Sequence, residues 1–281
     1  MPDPVTAPLL GAALLLGLIV GSFLNVVIHR LPRMMENEWR AQCAELAGQT
    51  PADTPSYNLA VPASACPRCG HRIGVLENIP LVSWLALRGR CRACHAPIGA
   101  RYPLVELVSG LAAAAVAWHF GATLAGAGAL LLLWFLIALA AIDLDTQFLP
   151  DDLTLPLLWL GLAFNLGGAF VPLDEAVIGA MAGYLSLWLV YWSFRLATGR
   201  EGMGMGDFKL LAALGAWLGW QMLPLILLFS SLVGATIGIL MIVLVRHDHR
   251  TPIPFGPYLA GGGLIALFFG QDLIRAWLGA A

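Results

Sequence analysis

Eight apolar runs, each approaching the length of a bilayer crossing, leave this chain few ways to fold. They extend over Pro8 to Ile28, Leu104 to Phe120, Ala122 to Ile142, Leu153 to Val171, Ala176 to Phe194, Phe208 to Met222, Leu223 to Val245 and Phe255 to Gly270. About 20 residues of helix cover the roughly 30 Å of hydrocarbon in a membrane. Charged residues make up 11% of the 281 and the mean hydropathy is +0.80, whereas a soluble domain carries about 25% charged residues. The expectation is an all-α polytopic membrane protein of about eight transmembrane helices. The division between the sixth and seventh runs is the weakest, because Gln221 in Gly219-Trp220-Gln221 is the only strongly polar break there.

The basic residues give the orientation. With the N-terminus outside, the inner segments hold Arg30, Arg33, Arg40, Arg68, Arg72, Arg88, Arg90, Arg92 and Arg101, then Arg195, Arg200 and Lys209, then Arg246 and Arg250. Only Arg275 of the 15 Lys and Arg residues falls outside, as the positive-inside rule asks. An even number of crossings then puts both termini outside. The first run is not a cleaved signal peptide: its only early charge is Asp3, and its basic residues follow the apolar stretch instead of preceding it. Its Gly21-Ser22 and Asn25 are read first as small and polar residues that let helices pack.

Three segments result: 1–28, the first transmembrane helix; 29–103, a polar cytoplasmic domain; and 104–281, a bundle of seven helices. The polar domain of about 75 residues contains all five cysteines and is small enough to need a cross-link. Cys66-Pro-Arg-Cys69 and Cys91-Arg-Ala-Cys94 are two C-x-x-C knuckles with 21 residues between them, the spacing of a structural tetrathiolate zinc site. A disulfide framework does not suit a reducing cytosol. Cys91-Arg-Ala-Cys94-His95 also matches a haem attachment site, but such attachment belongs to the opposite side of the membrane. No βαβ pattern surrounds the cysteines as a redox pair would require. Cys43 is expected to pack on a short amphipathic helix, and His71 and His95 to face solvent beside the knuckles.

Ionisable residues near hydrocarbon depth are functional candidates. Asp143 continues the apolar run Leu131 to Ile142 without a break, so helix geometry holds it at the membrane boundary. Asp145 is free to face the aqueous loop, and Asp151 or Asp152 is expected to N-cap the next helix. Asp207 follows Gly202, Gly204 and Gly206, glycines that let the backbone approach a partner closely. It opens a short, Gly-interrupted helix of the kind that marks a site inside a bundle. Lys209 lies on another face, so a helical pair with Asp207 is not expected.

At these residues the chain resembles the type IV prepilin peptidases, over nearly its full length. The resemblance includes Gly21-Ser-Phe-Leu-Asn-Val-Val-Ile-His-Arg30, the paired knuckles, Glu77-Asn-Ile-Pro-Leu-Val-Ser83, Arg101-Tyr-Pro-Leu-Val-Glu106, Ile142-Asp-Leu-Asp with Leu149-Pro-Asp151, and Gly204-Met-Gly-Asp-Phe-Lys-Leu-Leu211. The last contains the G-x-G-D signature of intramembrane aspartic proteases, and nothing in the chain departs from the family pattern. The resemblance implies that Asp143 and Asp207 are the catalytic pair and that Cys66, Cys69, Cys91 and Cys94 hold zinc. It also implies cleavage of the basic leader from prepilins and type II secretion pseudopilins at the cytoplasmic face. Methylation of the new N-terminus with S-adenosylmethionine would follow.

A pair of close carboxylates sharing one proton suits peptide hydrolysis. The transferase half has no sequence signature of its own. Asn25, Glu77, Asn78, Arg101 and Glu106 are candidate wall residues of a pocket expected where the Asn25 to Arg101 region meets the bundle, and they serve equally well as satisfied polar groups. The lipid bilayer and prepilin-like substrates are the expected partners, and no nucleic acid is. A proton- or ion-coupled transporter would also keep intramembrane aspartates, but no inverted repeat relates the two halves of the chain. A non-catalytic assembly factor docking through the zinc module is the remaining rival.

Overall fold

The computed structural model describes residues 6–49, 56–245 and 253–278; Asp3, Arg246 and Arg250 lie outside them. The described residues form nine α-helices: α1 (Thr6–Leu46), α2 (Val82–Ala86), α3 (Arg101–Phe120), α4 (Leu124–Thr146), α5 (Asp151–Leu166), α6 (Leu173–Thr198), α7 (Met205–Leu218), α8 (Leu223–Val245) and α9 (Gly256–Leu278). All but the five-residue α2 stand where the apolar runs place them. Six, namely α1, α3, α4, α6, α8 and α9, are long and apolar enough to cross a membrane. The 14-residue α7 is only about 21 Å long at 1.5 Å per residue. The protein is thus an all-α polytopic membrane protein with a small cysteine-bearing module after its first helix. Its compact units are Met1–Trp118 and His119–Ala281.

In the first unit, α1 does not stop at Ile28. It runs on through Pro32 to Leu46, 41 residues in all from Thr6, so the segment around Cys43 is the end of this long helix and not a separate short one. Its buried positions are Ala13, Gly17, Gly21, Leu24, Val27, Ile28, Arg30, Leu31 and Met35, a helical spacing that makes one stripe along the helix. Gly17 and Gly21 let α3 come close: a Cβ on Gly17 would lie 2.6 Å from the Ser109 carbonyl, and one on Gly21 2.8 Å from the Glu106 Cα. The Ser109 hydroxyl donates to the Gly17 carbonyl at 2.6 Å, and Asn25 Nδ2 donates to the Tyr102 carbonyl at 3.1 Å. These contacts match the helix-packing reading of Gly21 and Asn25. Past the apolar part, Arg30 donates to the carbonyls of Asn58 at 2.9 Å and Pro62 at 2.7 Å and ties the helix to the module.

In the second unit α7 is the central element, packed mainly against α6 and α5. Its backbone meets that of α6 directly: Gly215 lies against Gly179, and a Cβ on Gly183 would stand 2.6 Å from the Leu211 carbonyl. Trp217 fills the space left by Gly161 and Gly128, stacks on Phe164 at 5.3 Å, and donates its indole N–H to the Leu157 carbonyl at 2.8 Å. Asn165 Nδ2 donates to the carbonyls of Ala216 and Trp217 while its Oδ1 accepts from the N–H of Phe170 and Val171. One buried amide thereby closes the end of α7 and the loop after α5. The break anticipated near Gln221 is present: Gly219 adopts a φ of 82°, a single 3-10 turn follows at Trp220–Met222, and α8 begins.

Candidate active site and metal centre

Asp143 occupies the last turn of α4 and Asp207 the first turn of α7. Both are buried, at 4% and 7% exposure, and Leu149 borders the neighbours of both: it lies against Gly206, the residue before Asp207, and against Gly256, whose N–H bonds Asp143. The chain produces this meeting by stopping two apolar helices at the same end of the bundle. α4 ends at Gln147, whose left-handed backbone (φ 54°) lets its N–H return to the Asp143 carbonyl at 2.8 Å. α7 starts at Gly204 in extended backbone, with the Asp207 N–H closing on the Gly204 carbonyl at 3.3 Å.

The alternating glycines have identifiable neighbours. A Cβ on Gly206 would stand 2.7 Å from the Leu149 Cβ, and one on Gly202 would meet the Phe194 ring at 2.9 Å. Leu149 is buried and also touches Gly256, the first residue of α9. The Gly256 N–H donates to Asp143 Oδ2 at 2.9 Å, and a Cβ there would stand 2.7 Å from that oxygen. Gly256 and Leu149 therefore line the candidate site, a role that sequence reasoning did not give them. The available signal was a glycine between Pro254 and Pro257 at the head of the last apolar run.

The other aspartates fall elsewhere. Asp145 and Asp152 are exposed. The N-cap of α5 is Pro150, so neither Asp151 nor Asp152 caps the helix; both lie in its first turn, where a negative charge suits the helix dipole. Asp151 instead grips Lys209 through both oxygens at 2.6 and 2.7 Å. That pair joins the starts of α5 and α7 and directs Lys209 away from Asp207, as helical spacing leads one to expect.

The metal centre is built in the first unit. Each knuckle turns on one bond pattern: Cys66 N–H to the His71 carbonyl with Gly70 N–H to Cys66, and Cys91 N–H to the Ala96 carbonyl with His95 N–H to Cys91. Gly70 (φ 72°) and His95 (φ 54°) occupy the equivalent left-handed position, so His95 is an exposed turn residue. The four Sγ atoms all lie within 4.8 Å of one another, with Cys66 to Cys94 at 3.8 Å and Cys69 to Cys91 at 3.9 Å. A tetrahedron of sulfurs around zinc at about 2.3 Å has edges of about 3.8 Å, so the residues present fit that ion.

Their acid–base balance asks for a cation as well. The backbone N–H groups of Arg68 and Cys69 pull the Cys66 thiol down to about 6, and those of Cys94 and Ala93 lower Cys91. Cys69 has the His71 N–H pulling it down, yet the Cys94 sulfur, burial and the other thiols push it up to about 12. Four crowded thiols cannot all ionise without a positive charge among them. Beside them Glu77 accepts from His71 at 3.0 Å, Gly74 N–H at 3.2 Å and Arg92 at 3.4 Å.

The candidate wall residues for a methyl donor all belong to this unit, and most are engaged. Asn25 is bonded to Tyr102, Glu77 is bonded as above, and Glu106 Oε2 accepts from the Leu81 N–H at 2.8 Å. Asn78 ends the 3-10 turn Val75–Asn78 and Arg101 begins α3.

Residues 15–120 match the model of the Bacterial Peptidase A24 N-terminal domain, and residues 130–239 that of the Type IV leader peptidase family. A prepilin leader peptidase/N-methyltransferase of Aeromonas hydrophila is 61% identical over 266 residues, 94% of this chain and 92% of its own length. The protein of the same name from Pseudomonas aeruginosa is 59% identical over equal shares. One from Burkholderia pseudomallei is 55% identical over 93% of this chain and 85% of its own. No solved structure matches the chain.

Proposed function

This chain belongs to the type IV leader peptidase family, and we propose that it cleaves the basic leader from type IV prepilins and type II secretion pseudopilins. It then methylates the new N-terminus with S-adenosylmethionine as donor. The observation that carries the peptidase half is the meeting of Asp143 and Asp207: two carboxylates buried at one end of an apolar bundle, with Leu149 against the neighbours of both. Such a pair holds one proton between its members. The ionised carboxylate takes a proton from water, while the protonated one polarises the scissile carbonyl and then donates to the leaving amine. Gly256 fixes one oxygen of Asp143 through its N–H, which keeps that carboxylate in a single orientation during the proton transfers.

In this reading residues 1–28, the apolar part of α1, anchor the chain; 29–103, which begin with the polar end of α1, form the cytoplasmic module; and the protease bundle lies within 104–281. The protein lies in the bacterial inner membrane with both termini periplasmic and the aspartates facing the cytoplasm. A substrate cut there joins a short basic leader to an apolar segment, which remains in the bilayer beside the enzyme. Zinc held by Cys66, Cys69, Cys91 and Cys94 would have all four positions filled by sulfur and so would brace the module, leaving no position for water. The polar atoms of Asn25, Glu77 and Glu106 are committed to the fold, so no step of the methyl transfer is assigned to them.

Mass spectrometry of a synthetic prepilin peptide incubated with the purified protein tests the reading. The expected products are the peptide without its leader and, on adding S-adenosylmethionine, the same peptide with one added methyl group. The Asp143→Ala variant should cleave nothing yet still methylate a pre-cleaved peptide. A wild-type protein that binds the donor but never shortens the peptide contradicts the proposal.

A further inference from the structure

Between its two knuckles the cysteine-bearing module exposes a run of large apolar side chains with no visible cover. Val75 is 89% exposed, Leu76 75%, Leu85 66% and Val82 59%, with Ile73 and Ile79 also open. Among residues 73–87 the only charge is Glu77, and that carboxylate is turned inward onto His71, the Gly74 N–H and Arg92. These contacts hold it below the usual carboxylate range, the Gly74 N–H first and His71 next. The outward surface of the segment is therefore neutral and apolar. Arginines border it at both ends, Arg72 before and Arg88, Arg90 and Arg92 after. An apolar patch rimmed by cations, with no exposed acid, is the chemistry that settles into an anionic lipid surface.

The depth of the segment supports one occupant over others. The Leu81 N–H, in the middle of the run, donates to Glu106 Oε2 at 2.8 Å. Glu106 lies in the second turn of α3, five residues or about 7.5 Å past Arg101 at 1.5 Å per residue. With only 20 residues, α3 needs its whole length, about 30 Å, to cross the hydrocarbon. Leu81 is thus tethered at the level where α3 enters the membrane. The Trp84 indole donates to the Ile98 carbonyl at 3.3 Å, three residues before α3, and holds α2 to the same level. A side chain as apolar as Leu76 gains about 25 cal/mol for each Å² removed from water, and the nearest apolar phase at that depth is the bilayer itself.

We propose that the Ile73–Leu87 segment is a membrane-interface element: Val75, Leu76, Val82 and Leu85 enter the headgroup and upper acyl region while Arg72, Arg88 and Arg90 contact lipid phosphates. It anchors the module flat on the membrane, where the apolar part of a bilayer-held peptide is presented.

The full chain in lipid nanodiscs containing a phospholipid with a diazirine near the carboxyl end of its acyl chain tests this. After irradiation, peptide mapping locates the cross-linked lipid. In discs of phosphatidylethanolamine with phosphatidylglycerol, label is expected on Val75–Leu85 and not on the exposed stretch Pro62–Ala65. In discs of phosphatidylcholine alone that label should fall at least fivefold, the factor for roughly 1 kcal/mol, which is what each of the three arginines contributes at an anionic surface. A Val75→Ser, Leu76→Ser, Leu85→Ser chain with a wild-type melting curve should lose the label. Absence of label from residues 73–87 of the wild-type chain in the anionic discs overturns the proposal. So does a cross-link that joins the segment to a second polypeptide, or labelling that does not depend on the anionic lipid.

Discussion

Between Tyr57 and Ala100 the only buried apolar residues are Cys91 and Ala96, whereas eleven of the fourteen residues of α7 are buried. The module and the bundle thus hold their shapes by different means. The module is a set of turns that converge on four thiols within 4.8 Å of one another, and its order depends on what those thiols bind. The bundle depends on backbones brought into contact at Gly179, Gly183 and Gly215 and on Trp217 seated over Gly161. A perturbation aimed at one region should therefore leave the other standing, and each prediction below relies on that independence.

The largest effect is expected from the metal. Structural zinc contributes about 10–16 kcal/mol to small zinc domains, more than this module can recover by burial. Elemental analysis should find one zinc per chain, lost in Cys69→Ser. Hydrogen exchange should then show residues 64–98 exchanging freely while α7 stays protected. Loss of protection across both regions would show that the two do not stand independently. Gly215→Leu is expected to give the reverse pattern. Its side chain would drive α7 off α6, and overpacking of this kind costs about 1–3 kcal/mol or more. The bundle should melt earlier and cleavage should fall, with the zinc content unchanged.

Within the bundle, Gly256→Ala separates the site's chemistry from its packing. A methyl 2.7 Å from Asp143 Oδ2 must move the carboxylate, and a displacement near 1 Å costs roughly a hundredfold in rate. Peptide cleavage should fall by about that factor while the melting curve moves little. A drop in stability without a matching drop in cleavage would mean that Gly256 serves only packing. The smallest effect is expected at His95, which holds a left-handed backbone that costs about 1–2 kcal/mol for a residue with a Cβ. His95→Gly should raise the thermal stability of the module by about 1 kcal/mol and Gly70→Ala should lower it by a similar amount, read by exchange rates in residues 64–98 with cleavage unaltered.

The parts of this molecule that follow from local pattern were legible in its sequence. Apolar run length located eight helices, C-x-x-C spacing brought four sulfurs together, and the placement of Asp143 and Asp207 at helix ends singled them out from Asp145 and Asp152. The misses depend on tertiary contact. A glycine between two prolines marks Gly256 out, but local sequence does not say that its N–H meets a carboxylate 113 residues earlier, or that Lys209 pairs with Asp151 across 58 residues. The continuation of α1 to Leu46 was hidden by polarity: residues 29–46 read as the start of a domain because periodicity and charge report exposure and not where a helix ends. The N-cap of α5 moved by one residue because Pro150, with no N–H and a fixed φ, already supplies the extended backbone that a cap needs.

The central claim is that Asp143 and Asp207 share one proton and cleave as a pair. The direct measurement is peptide cleavage by Asp143→Asn and Asp207→Asn, each purified in lipid discs with its zinc content and melting curve checked against the wild type. An amide keeps the shape and burial of the carboxyl group but cannot exchange the shared proton. The expected result is no detectable cleavage by either variant with the fold and metal intact. Wild-type cleavage by either one would contradict the shared-proton account.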